Sequence, residues 1–280
     1  MEKLFNFLEL KMETPTSYGW LHLLFIAIVI AVTALLCVYF KDCSDKTFRR
    51  IAFISWILIV VLECYKQIVY TYSFEDGALV ADYQWYAFPY QLCSTPLYVL
   101  PFVAFMKDGK VRDFFTSYIS TFAFFGGFVV FIYPNDIFVS TIGINLQSLI
   151  HHGLQIVFGI YFAVYFRKRL NLKYFLKSIP VFAGLLIIAV VLNETAGLHI
   201  YKTLGEDFSM FYVSSFIPTH LPILSNIYTA VPWIIFLLIY TFGFCLASFI
   251  VYYGIVGGII LTTKIKNNFC RKENINVDQE

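Results

Sequence analysis

Apolar residues in this chain come in runs of about twenty, separated by short polar links. Hydropathy marks seven such runs, approximately 19–40, 51–73, 89–106, 114–133, 144–166, 174–198 and 230–262. Twenty helical residues rise roughly 30 Å, the thickness of a bilayer's hydrocarbon core. A backbone in that medium must satisfy its own hydrogen bonds, so each run is read as a helix. The expected fold is all-α, a polytopic membrane protein with seven transmembrane helices. Residues 1–18 would precede the membrane domain (19–262), and 263–280 would form a tail whose last ten or so residues read as disordered.

The polar links carry the next piece of information. Lys and Arg gather at 41–50, 107–113, 167–177 and in the tail, 16 of the 20 in all. The alternate segments hold only Lys3, Lys11 and Lys202, and Lys66 lies within a run. By the positive-inside rule the N-terminal segment is outside and the tail cytoplasmic. Seven crossings is the count that keeps this asymmetry unbroken.

Composition agrees, with 59% hydrophobic and 14% charged residues, which excludes a soluble globular domain. A net charge of +2 held in short links gives no face for nucleic acid. Glu2, Glu9 and Glu13 stand where a cleavable signal would be basic, and the first run is too long for a signal core. Six scattered cysteines without a CxxC pair argue against a disulfide framework or a cysteine zinc site.

Polar residues inside the runs are one-sided. His22 opens run 1; Glu63, Lys66 and Gln67 lie in the outer half of run 2; Gln91 and Cys93 open run 3. Asn145, Gln147, Ser148, His151, His152 and Gln155 fill the outer half of run 5, while the cytoplasmic halves read as almost purely apolar. Glu63 would cost about 2.5–3.5 kcal/mol at mid-helix, so it needs a partner, and Lys66 or Gln67 can reach it. Lys66 snorkelling to the interface is the alternative. The stripe on run 5 must avoid lipid, either as packing groups or as the lining of a wet cavity. The outer segment 199–229, rich in aromatics and prolines, reads as a lid over the outer mouth or as a packed loop.

Cys93 lies between Pro89 and Pro96. Pro96 cannot donate to the Leu92 carbonyl, so a kink with that acceptor left available is expected. A thiol becomes a nucleophile when a base or positive field favours the thiolate. Cys93 with His152 or His151, supported by Glu63, His22, Gln91 and Gln147, would suffice for acyl transfer through a thioester. No metal spacing such as HExxH is present, and no cofactor is required.

The stretch Phe88-Pro89-Tyr90-Gln91-Leu92-Cys93-Ser94 resembles the proline–x–x–leucine–cysteine signature of the YwaF-like integral membrane proteins of bacteria. His22 after Tyr18-Gly19, Glu63, Pro134-x-Asp136 and His152-Gly153 follow in the same order, so the resemblance covers about 18–240. It implies kinship with a vertebrate membrane acyltransferase of ether phospholipids that uses a cysteine and a histidine. On that basis Cys93 is the expected acyl-accepting nucleophile and His152 its base; His151 leaves the choice of base open. The expected substrates are membrane phospholipids or lysophospholipids, at the outer leaflet of a bacterial plasma membrane. A transporter or lipid/ion-binding protein using the same polar cavity, without chemistry, is the reading from another class.

Overall fold

The computed structural model describes residues 2–75 and 77–277; the side chains of Asp136 and of 265–277 lie outside the description. Its helices are α1 (Glu2–Leu8), α2 (Trp20–Tyr39), α3 (Asp45–Val69), α4 (Pro96–Phe105) and α5 (Arg112–Tyr118). There follow α6 (Phe124–Ile132), α7 (Ile142–Tyr165), α8 (Leu172–Leu192), α9 (Leu198–Leu204), α10 (Leu224–Ala230) and α11 (Trp233–Val277). Single π-helical turns, Ile119–Ala123 and Asn193–Gly197, join α5 to α6 and α8 to α9, so each pair runs on as one rod.

Among the described residues six rods are long and apolar enough to cross a membrane: Trp20–Tyr39, Asp45–Val69, Arg112–Ile132, Ile142–Tyr165, Leu172–Leu204 and Trp233–Lys264. The third expected span is the exception, because its apolar helical segment is only Leu92–Phe105. Proline explains the shortening. Pro89 and Pro96 have no N–H to extend a helix, so 88–91 is non-helical, Leu92–Ser94 is a 3-10 turn and α4 begins at Pro96. Two further departures are local. The link after α3 folds into an antiparallel hairpin, β1 (Tyr72–Glu75) with β2 (Ala78–Ala81), so the fold is not purely helical. At the other end α11 stays helical to Val277, through most of the stretch expected to be disordered.

Helix α7 is the hub, packed against α2, α3, α6 and the π turn after α5. Glycine makes the closest of these approaches. A Cβ on Gly127 would stand 2.6 Å from the His152 carbonyl oxygen, and one on Gly159 2.4 Å from Phe124 Cβ. On α11, Gly254, Gly257 and Gly258 face open space within the chain.

The basic links are not merely solvated. Arg112, 1% exposed, donates to Asp45 (2.6 Å) and Asp108 (3.0 Å) and lies over the Phe48 and Phe166 rings. Arg169 binds Asp108 and Asp113, Lys177 binds Asp113 at 2.6 Å, and buried Tyr174 donates to Thr116. This end of the bundle is therefore far from purely apolar. Its charges are affordable because they satisfy one another.

At the opposite end the 205–223 segment tucks into the bundle, with Phe208, Met210, Phe211 and Val213 fully buried. It is a packed loop. Asn193 clamps both polar groups of Met210, and Phe208 meets the rings of Trp85 and Phe88.

Candidate active site

Pro96 shapes the surroundings of Cys93 in a way that differs from expectation. The Leu92 carbonyl is not left open; it accepts the Thr95 hydroxyl at 2.6 Å and the Thr95 N–H at 3.3 Å. The open acceptor is the next carbonyl along. Pro96 has no N–H with which to continue the 3-10 turn onto the Cys93 oxygen, and two α7 side chains take that oxygen instead. His151 Nε2 donates to it at 2.8 Å and Gln155 Nε2 at 2.7 Å.

These bonds also assign the imidazoles. A carbonyl only accepts, so His151 carries its proton on Nε2, leaving the Nδ1 lone pair buried and without a partner. His152 donates from Nδ1 to the Ser148 carbonyl at 2.7 Å, which puts its lone pair on Nε2. The two rings are 5.5 Å apart, nearly perpendicular, and both buried. The Gln155 amide oxygen is a second buried polar atom of this layer without a partner. Cys93 itself is half-buried with a free thiol.

Glu63 lies one layer away. It accepts from Lys66 Nζ at 2.8 Å and from Gln67 at 2.7 Å, so the pairing expected on its own helix is the one observed. Gln67 continues the network to the Ala87 carbonyl and to the Tyr83 hydroxyl. Lys66 lies within electrostatic reach of Cys93, His151 and His152.

The remaining expected residues separate. Gln91 turns away from Cys93 and binds the packed loop, donating to the Ser209 carbonyl and accepting from the Phe211 N–H. His22 is fully buried but accepts the Tyr18 N–H on Nδ1 and packs on Phe131 and Phe138, an anchor for the start of α2. Gln147 is buried on α7. Asn145 ties the loop before α7 by bonding both polar groups of Val139. Among the described residues no three His, Cys, Asp or Glu side chains are grouped to hold a metal ion.

Two further groups, not expected at the site from the sequence, lie near Cys93. Tyr118, fully buried, shares a 2.7 Å hydrogen bond with the Thr95 hydroxyl. Gly126 leaves room beside Cys93 Cα and the Gln155 amide.

The arrangement thus gathers a thiol residue and two imidazoles with free lone pairs in one layer of a membrane bundle, with an ion pair in the next. Comparisons with curated proteins and with solved structures return no match. The model of the TMEM164 family, a membrane protein family, matches residues 16–253, a stretch that includes every residue of the site described above, and the chain belongs to that family.

Proposed function

We propose that this protein is a lipid acyltransferase of the membrane, acting at the outer leaflet of a bacterial plasma membrane through a thioester on Cys93. The support is the convergence of His151 and Gln155 on the Cys93 carbonyl, which fixes the thiol's residue in a buried polar layer beside two imidazoles. His152 is the base, as the YwaF-like resemblance implies, and His151 is a positioning residue acting through the Cys93 main chain.

In the first half-reaction His152 takes the thiol proton and the Cys93 sulfur attacks the ester carbonyl of a phospholipid. The ester C–O bond breaks, the lysophospholipid oxygen leaves with the proton from His152, and the acyl group rests on sulfur. In the second half an acceptor hydroxyl, from a lysolipid or from water, gives its proton to His152 and attacks the thioester. The thiol is regenerated with that proton. Lys66 contributes positive field to the thiolate and Glu63 keeps Lys66 in place.

This reading uses seven crossings, the segment 88–106 included, with the N-terminal end outside. Its test is lipidomics of cells or vesicles carrying the wild type, Cys93→Ala or Cys93→Ser. Transfer of acyl chains should vanish in both variants while each still folds and inserts. Full transfer by Cys93→Ala would end the nucleophile assignment.

A further inference from the structure

We propose that the groove between α4–α5 and α8 holds a fatty acyl chain of a membrane phospholipid. The groove has a volume of about 500 Å³, inside the range of roughly 300–1,000 Å³ found for small-molecule sites. It runs from Tyr90 and Tyr98 at the level of Cys93, past Phe102 and Leu185, to Phe115 near the Arg112 end of the bundle. Its polar groups are already spent, because Tyr90 donates to the Leu185 carbonyl and Tyr98 to the Pro89 carbonyl. What remains is hydrocarbon.

Three observations select an acyl chain as occupant. First, the groove opens sideways, with Phe102, Val111 and Ile188 between 47% and 59% exposed on a bundle whose rods are apolar enough to cross a membrane. The surrounding medium is then lipid chains. Second, the groove has a floor without a side chain, since Gly184 faces it and a Cβ there would meet nothing within 4 Å. Third, the groove begins at the segment that carries Cys93, since Tyr90, three residues before it, is part of the lining. Tyr90 belongs to both the groove and the Cys93 segment, and its ring lies 5.3 Å from that of Tyr98, the next lining residue along the groove. An acyl group on Cys93 could lay its tail along this path toward the bundle's far end. That orientation, carbonyl end at Tyr90, rests on the transfer reading above; occupancy of the groove does not.

The experiment uses the full chain in vesicles containing a phosphatidylcholine with a photoactivatable diazirine in one acyl chain. Irradiation followed by peptide mass spectrometry locates the adducts. Wild type should carry them on the α4, α5 and α8 peptides of the groove well above the lipid-facing α11 peptides. Gly184→Phe should lower the groove adducts about tenfold, the scale on which a filled apolar pocket rejects a chain. Gly243→Phe, at an exposed α11 glycine that also has open space, should leave them unchanged. Ile188→Trp fills the same groove from an exposed position and covers the case in which Gly184→Phe misfolds. Even labelling over all lipid-facing helices, or groove adducts undiminished in the folded fillers, would overturn the proposal. Because this readout needs no turnover, groove labelling with unchanged transfer in Cys93→Ala would sink the enzyme reading alone. In the opposite case, transfer lost in Cys93→Ala with even labelling, the groove falls and the enzyme stands.

Discussion

At the scale of single residues the site depends on what a proline leaves unbonded. A buried carbonyl without a partner costs about 1–3 kcal/mol, and the Cys93 carbonyl avoids that by taking two donors from α7. His151 and Gln155 therefore do a job that is separable from proton transfer. His151→Gln keeps an amide N–H for the same oxygen and should retain much of the transfer rate. His151→Ala should lose more, with the loss recovered in the Gln variant, because only the donor is required. His152→Gln offers no lone pair of comparable basicity and should cost about 10²–10⁴-fold in rate. Equal loss in both Gln variants would exchange the two assignments. Cys93, its bracketing prolines and the polar stripe on α7 were legible in the sequence. Which carbonyl would be open was not, since hydropathy and proline rules do not distinguish a 3-10 turn from a kinked α-helix. The tautomers, too, are set by partners 58 and 4 residues away.

Elements show the same division between pattern and packing. Six of seven apolar runs became long rods because a continuous apolar sequence in lipid has few alternatives to helix. The hairpin was signalled by Asp76-Gly77 between strand-forming stretches, a local cue that a hydropathy window averages away. The loop at 205–223 was beyond sequence, since what buries it is tertiary. Phe211 and Tyr212 sit at φ 56° and 57°, a conformation that costs of order 1–3 kcal/mol per residue and persists only when held. Gln91 is one of the holders. Gln91→Leu would leave the Ser209 carbonyl and the Phe211 N–H without their side-chain partner, again at about 1–3 kcal/mol each. The expected result is faster proteolytic cutting within 205–223, with the rods intact by circular dichroism. Cutting at the wild-type rate would show that the aromatic contacts of Phe208 suffice to seat the loop.

The whole molecule is polarised, with a buried ion-pair network at one end and the candidate site toward the other. Arg169 hydrogen-bonds Asp108 and, with help from Arg112 and against partial burial, holds its carboxyl down to about 2 from an ordinary 3.8. A depressed carboxylate stabilises the folded state above its unfolded value and loses that contribution as pH falls through the folded one. Thermal stability should thus fall between about pH 4 and pH 2. The fall should be shallower in Asp108→Asn, and modest in size because the side chain is 42% exposed. The same network bears on topology. Six long rods alone would return the chain to the side on which it began, and the basic links would then fall on both faces. The ion pairs place Asp108, just after α4, beside Asp45 at the start of α3, while Gln67 near the end of α3 binds Ala87 just before the Cys93 segment. The short segment 88–106 therefore covers the same depth as α3, helped by its extended stretch, since non-helical backbone gains more length per residue than the 1.5 Å of a helix. If it crosses, Ala78→Cys in the hairpin and Lys110→Cys after α4 must face opposite compartments. A membrane-impermeant maleimide, read by peptide mass spectrometry, should modify Ala78→Cys in intact cells, and Lys110→Cys and Lys168→Cys only after permeabilisation. Labelling of Ala78→Cys and Lys110→Cys from the same side would remove the seventh crossing and, with it, the outward-facing thiol on which the transfer mechanism depends.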